Sequence, residues 1–114
     1  MTDDLVAKRC TPCRGGVPPL TPEEARAYQD KLPDWTLLDN ATRISRTYKF
    51  RNFTEAFDFV RKLAAVAEEE GHHPDITFGW GYVTVSLQTK KIKGLHENDF
   101  IMAAKFDRLS GAQA

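Results

Sequence analysis

The stretch Glu68-Glu69-Glu70-Gly71-His72-His73-Pro74-Asp75 forces the chain out of a helix and into an extended element within one short turn. Gly71 stands where a helix takes a left-handed C-terminal cap, a backbone state open to glycine. Pro74 lacks the amide a helix needs and pushes the residue before it towards extended backbone. Two adjacent imidazoles are thereby mounted on a stiff connection between elements, where functional groups are commonly carried. Two of the chain's three histidines sit in this dipeptide. A free imidazole titrates near ~6.5, so each can give or take a proton at neutral pH. A lone histidine after a helix is more often a cap or a solvated surface group, and the Gly–Pro brackets raise this pair above that reading. Zinc takes three or four ligands. His96, Cys10 and Cys13 form no ligand spacing with the pair, so no metal is expected.

The apolar pattern on either side sets the order of elements. Thr21-Pro22-Glu23-Glu24 reads as a helix start, with Thr21 as N-cap, Pro22 at the first helical position and Glu24 completing a capping box. That helix ends near Leu32-Pro33. Residues 35–38 and 42–50 read as strands joined by the turn chemistry of Asp39-Asn40. In the second, Ile44, Arg46, Tyr48 and Phe50 alternate with Arg43, Ser45, Thr47 and Lys49. Asn52 caps the main helix with Glu55 reaching back. Phe53, Phe57, Val60, Ala64 and Ala67, widened by Ala56 and Leu63, form the stripe expected to face the core. After the histidine turn, Ile76, Phe78 and Trp80 belong to a third strand and Val83, Val85 and Leu87 to a fourth, joined as a hairpin near 79–81. A last helix over about 97–109 carries Met102, Phe106 and Leu109 on one side. Glycine and proline crowd positions 12–19, so residues 1–20 are expected to form an extended leader and 21–114 a single domain. The fold class expected is α+β, in the order helix-strand-strand-helix-strand-strand-helix: a four-stranded antiparallel sheet with helices packed on one face.

At 114 residues the chain has room for one modest core. Its 16 basic and 16 acidic side chains cancel, so no global field draws it to nucleic acid or to an acidic membrane surface. Local charge is uneven, with Glu68, Glu69 and Glu70 set against Lys90, Lys91 and Lys93. No apolar run approaches the ~20 residues of a membrane span and no apolar signal core opens the chain, so a cytoplasmic location without membrane contact is the expectation. Cys10-Thr11-Pro12-Cys13 is followed by Arg14-Gly15-Gly16-Val17-Pro18-Pro19, which cannot start the helix that thioredoxin-type chemistry needs. A reduced, incidental pair is preferred over half of a zinc knuckle. Gly79-Trp80-Gly81 reads as a turn, and neither a nucleophile elbow nor a nucleic-acid motif is present.

Taken together, these residues resemble the pterin-4a-carbinolamine dehydratases, from Cys10 to about Leu109. The resemblance rests on Glu68-x-x-x-His72-His73-Pro74, on Trp80, on Gly94-Leu95-x-x-x-Asp99 opening the last helix, and on Trp35. The leader Cys-x-Pro-Cys-x-Gly-Gly-x-Pro-Pro-Leu is similar to that of bacterial members. The likeness implies a four-stranded antiparallel sheet with helices on one side. It implies dehydration of 4a-hydroxytetrahydropterin to quinonoid dihydropterin, recycling the pterin cofactor of aromatic amino acid hydroxylases. It also implies a pterin substrate, a homodimer or homotetramer, coupling to such a hydroxylase, and no cofactor or metal. The alternative within the same likeness is a non-catalytic, pterin-dehydratase-like binding or enzyme-assembly factor. Under the dehydratase reading the resemblance makes His72 and His73 catalytic, and Glu68, Trp35, Trp80 and Asp99 bind substrate or support the site. The pattern's third histidine, at the end of the fourth strand, is replaced here by Lys90, which joins the catalytic set as a modified member. A free ammonium titrates near ~10.4; it donates hydrogen bonds and accepts no proton unless desolvated or crowded by other cations. Three arrangements follow as expectations. His72 and His73 line one open pocket with Trp80 or Trp35 and the start of the last helix. Lys90 lies with Gln88 on the polar side of the fourth strand, at a sheet edge or on the face away from the helices. Asp99, three residues past His96, is an anchor rather than an acid.

Overall fold

The computed structural model describes residues 2–11 and 17–111, with side chains from Leu5 onwards. Its elements are α1 (Thr2–Ala7), α2 (Pro22–Gln29), β1 (Thr36–Leu38), β2 (Arg43–Lys49), α3 (Phe53–Glu70), β3 (Asp75–Gly79), β4 (Tyr82–Leu87), a single 3-10 turn (Lys90–Ile92) and α4 (Glu97–Leu109). The capping box of α2 is present: Thr21 Oγ1 accepts from Glu24 N at 3.2 Å and Glu24 Oε1 accepts from Thr21 N at 2.9 Å. Asn52 caps α3 through Glu55 N, while the Glu55 carboxylate reaches one residue further back to Arg51 N.

The strands form one antiparallel sheet in the order β1-β2-β4-β3. Ile44, Tyr48, Val83, Val85 and Leu87 alternate onto one face and are buried against the helices. The other face is polar, and the Thr47 and Thr84 hydroxyls share a hydrogen bond of 2.8 Å across it. The α+β fold class read from the element order is the one found. Asp75 pairs with Ser86, so the start of β3 lies beside the end of β4. That register brings the histidine turn next to the loop that carries Lys90.

Two expectations are corrected. The leader does not begin extended: Thr2–Ala7 is helical and Leu5 is buried in the main core. So short a helix does not hold by itself. It is held by packing on α4, where Lys105 Nζ donates to Val6 O at 2.8 Å. The stripe expected of α3 is buried only in part: Ala56, Leu63 and Ala67 turn inward, and its aromatics do not. Phe53 and Phe57 are 48% and 47% exposed and lie beside Phe78 of β3, with ring centroids 5.4 and 6.2 Å apart. The buried arc is Ala56, Phe59, Leu63 and Ala67. Its alanines let α3 approach the sheet, and Phe59 fills the space against Tyr48 and Phe50, at centroid distances of 4.8 and 5.1 Å.

Arg46 occupies an inward position of β2, between Ile44 and Tyr48. Its charge is met by Asp107 of α4, whose Oδ1 accepts from Arg46 Nη1 at 2.8 Å, Tyr48 OH at 2.6 Å and Trp35 Nε1 at 3.0 Å. Burial, and then the Asp107 carboxylate, push the Tyr48 phenol well above its ordinary value. This network fixes the C-terminal part of α4 to the sheet. Because α1 packs on α4 through Leu5, Leu5→Ala is expected to lower stability by about 2–4 kcal/mol, read by urea unfolding. A loss below about 0.5 kcal/mol would show that α1 does not belong to the core.

Candidate active site

Three chain segments build the site. α3 ends because Gly71 adopts φ 69°, ψ 25°, and both its N–H and that of His72 donate to Ala67 O. Beyond β4, the chain passes Gln88 and Thr89 into the 3-10 turn, which is closed by Thr89 N donating to Gly94 O at 2.9 Å. α4 opens on His96, whose Nδ1 accepts from Asn98 N at 3.0 Å.

All three segments meet at the Asp99 carboxylate, which is fully buried. Oδ1 accepts from His72 Nε2 at 2.7 Å; Oδ2 accepts from Thr89 Oγ1 at 2.8 Å and from His96 N at 3.0 Å. A carboxylate stays charged in such a place only when donors surround it. With Asp99 ionised, His72 Nε2 carries a hydrogen and Nδ1 is the nitrogen left for proton exchange. His73 Nε2 bonds Glu68 Oε2 at 2.5 Å on the exposed rim, five residues back on α3. His72, His73, Gln88, Thr89, Lys90 and Lys91 line one open pocket of about 300 Å³. Lys90 is 71% exposed, and its ammonium lies 3.6 Å from Asp75 Oδ1.

The leader braces this arrangement from behind. Asn98, next to Asp99, is buried and pairs with the Thr11 backbone in both directions: Thr11 N donates to Oδ1 at 3.0 Å and Nδ2 donates to Thr11 O at 2.7 Å. Cys10 N donates to Glu70 Oε1 at 2.9 Å, just before Gly71. The Cys10 thiol is pushed up to about 12 by burial and then by Glu70, the reverse of a thiolate poised for redox chemistry. Cys13 lies outside the described residues.

The structure thus brings His72, His73 and Lys90 to one pocket, with Asp99 beneath and Glu68 at the rim. It does not bring either tryptophan there. Trp35 is buried with its indole N–H on Asp107, and Trp80 tips the β3–β4 hairpin, 72% exposed, at the far end of β3 from Pro74. Lys90 is not the end of a strand either, since β4 stops at Leu87 and Lys90 opens the 3-10 turn. Sequence reasoning missed Thr89. Its signal was a polar residue continuing the inward register of Val83, Val85 and Leu87, a position that calls for a buried partner. Among the described residues, no group of three His, Cys, Asp or Glu side chains comes together to hold a metal ion.

An open antiparallel sheet with a carboxylate-held histidine beside a second histidine defines a small α+β protein with the parts of an acid–base site. The chain belongs to the pterin 4 alpha carbinolamine dehydratase family, which residues 18–109 match. A relative from Azoarcus sp. (strain BH72) is 58% identical over 111 residues, 97% of this chain and 95% of that one. One from Methylococcus capsulatus is 60% identical over 106 residues, 93% of each chain. Both are provisionally named pterin-4-alpha-carbinolamine dehydratases. Among solved structures, a transcriptional coactivator/pterin dehydratase from Brucella melitensis is 33% identical, with a TM-score of 0.77 over 82% of this chain and 99% of that one. A pterin dehydratase-like protein identified as a RuBisCO assembly factor in the alpha-carboxysome is 29% identical, with a TM-score of 0.60 over 68% and 90%.

The Asp99–His72 contact has a direct spectroscopic test. Nitrogen-15 imidazole spectra of the wild type at a pH where the ring is neutral are expected to show hydrogen on Nε2. Asp99→Asn is expected to give a mixture of tautomers, and a wild-type hydrogen on Nδ1 would overturn the assignment.

Proposed function

We propose that this protein dehydrates a 4a-hydroxytetrahydropterin to quinonoid dihydropterin and water. The observation that carries the reading is His72, held through Nε2 by a buried carboxylate and placed with His73 in one open pocket. As the C4a–O bond breaks, the N5 lone pair forms the C4a=N5 bond. The hydroxyl leaves as water after receiving one proton, and a ring nitrogen gives one up. One acid and one base that exchange protons near neutral pH are what this chemistry asks for. His72 takes the ring proton at Nδ1, with Asp99 steadying the imidazolium. His73, oriented by Glu68, delivers a proton to the hydroxyl, and Lys90 donates a hydrogen bond there. Asp99, already committed to three donors, positions His72 rather than exchanging protons itself.

Recycling a pterin for an aromatic amino acid hydroxylase in the cytoplasm is the setting this activity fits. No helix among the described residues is long and apolar enough to cross a membrane. Self-association into a homodimer or homotetramer belongs to the same reading. The half-exposed Phe53 and Phe57 lie beside β3, which is an edge strand with unpaired backbone groups. Light scattering at micromolar concentration is expected to give a multiple of the chain mass; a stable monomer would remove this part. The second reading, a non-catalytic assembly factor, draws on Lys90 standing where the family pattern has a histidine, and on the likeness to the alpha-carboxysome protein.

A dehydratase assay on 4a-carbinolamine separates the two. His72→Ala is expected to lose at least ~10²-fold, Asp99→Asn less than that, while Lys90→His keeps or raises turnover. Wild type and His72→Ala both matching the buffer rate would leave the assembly-factor reading.

A further inference from the structure

We infer that the site is shared between two copies of the chain: β3 pairs edge to edge with β3 of a second copy, and the partner's Trp80 forms an aromatic wall of the pocket. The ring that this wall receives, a pterin, rests on the dehydratase reading; the sharing of the pocket does not. Sites for flat heterocycles combine apolar and aromatic surface with a few polar groups that fix orientation. Among the described residues, the lining of this pocket has only the second kind. Besides Gly71 it offers imidazole, amide, hydroxyl and ammonium groups, and no hydrocarbon side chain. Trp80 has the opposite deficit, an indole 72% exposed at the tip of the β3–β4 hairpin. Six residues separate it from Pro74. At about 3.3 Å per residue that is roughly 20 Å, so Trp80 cannot reach the pocket of its own chain.

The register of the sheet brings it to a neighbour's. Phe50 N donates to Gly81 O at 2.8 Å, so Gly81, Val83 and Val85 turn their backbone groups to β2, while Tyr82, Thr84 and Ser86 turn theirs to β3. Their partners Gly79, Thr77 and Asp75 face β4 in return, which leaves the amides and carbonyls of Ile76 and Phe78 on the open edge. A two-fold axis through Thr77 pairs the five residues of β3 with their copy along the whole strand. Ile76 and the partner's Phe78 then exchange backbone bonds, Thr77 meets its own copy, and Asp75 meets the partner's Gly79. Apolar side chains face each other on the helix side and no like charges oppose across the seam. The axis also covers Phe53 and Phe57, which lie half-exposed beside Phe78. One step further along the ladder, the partner's Trp80 stands opposite Pro74 and next to His73, about 5 Å across the strands. There its indole supplies the aromatic face that the lining lacks.

Three measurements test this. Thr77→Cys is expected to form a disulfide-linked dimer on mild oxidation, because the axis sets the two thiols within bridging distance, whereas Thr36→Cys on the opposite edge strand stays unlinked. Wild-type chains carrying carbon-13 histidine, mixed with unlabelled chains, are expected to show a nuclear Overhauser contact from the His73 ring to an unlabelled indole. In the oxidised Thr77→Cys dimer, which cannot dissociate, Trp80→Ala is expected to weaken binding of 7,8-dihydrobiopterin about three- to tenfold, read by pterin fluorescence. Thr77→Cys remaining monomeric, or no contact between His73 and the other chain's indole, overturns the shared site. So does probe binding that Trp80→Ala leaves unchanged. If wild type neither binds the probe nor dehydrates carbinolamine, the dehydratase reading falls, and the contact between chains alone decides whether the pocket is shared.

Discussion

Burying a carboxylate among apolar side chains is unfavourable unless donors replace the water it loses, and Asp99 meets that condition only because three separate segments reach it. The His72 ring comes from the turn after α3, the Thr89 hydroxyl from the chain beyond β4, and the His96 amide from the start of α4. If any one of them shifts, the charge is left partly unsatisfied in a dry place. The same three bonds that satisfy Asp99 therefore hold the histidine turn, the lysine-bearing loop and the last helix in fixed relation. One group serves both the packing and the pocket, since the bond that satisfies Asp99 also orients the His72 ring.

α4 carries a second carboxylate in its last turns, and the two divide the work of the helix. Asp107 collects Arg46, Tyr48 and Trp35, tying α4 to β2 and to the chain entering β1. Between these polar ends, Phe100, Met102, Ala103 and Phe106 are buried. α1, α2 and α3 all pack on this helix, so it behaves as the axis of the domain rather than as a surface helix.

The order of elements was legible because each boundary had its own local chemistry. Thr21-Pro22-x-Glu24 starts a helix, Gly71 and Pro74 stop one, and period-two alternation marks β2 and β4. Local chemistry does not say which arc of an amphipathic helix turns inward when both arcs carry aromatics. Phe57 and Phe59 compete, and the alanines at 56 and 67 decide in favour of Phe59 by permitting a closer approach. α1 escaped notice because six residues carry too little periodicity, and its order comes from α4, remote in sequence. The pairing of Asp99 with the histidine turn was open to the family resemblance, but its partner Thr89 was not. Trp35 was misplaced for a related reason. A tryptophan matching a family position signals that the residue matters without saying to what, and here its indole serves Asp107. Arg46, charged at an inward position of β2, was the unread sign that an acid must lie across from the sheet.

The loop that holds Lys90 is closed on its own backbone. Thr89 and Gly94 exchange hydrogen bonds, Lys93 N returns to Lys90 O at 3.2 Å, and Thr89 is moored to Asp99. Gly94 is pressed by Pro19 of the leader so closely that a Cβ there would fall 2.6 Å from the Pro19 Cβ. None of these restraints uses the Lys90 side chain. Over evolutionary time the residue at this position is therefore free to be exchanged by single mutations without the loop refolding. A lineage descended from such a protein can change the side chain at position 90 while inheriting the His72–Asp99 contact unchanged, so variation at the pocket needs no detour through an unfolded ancestor.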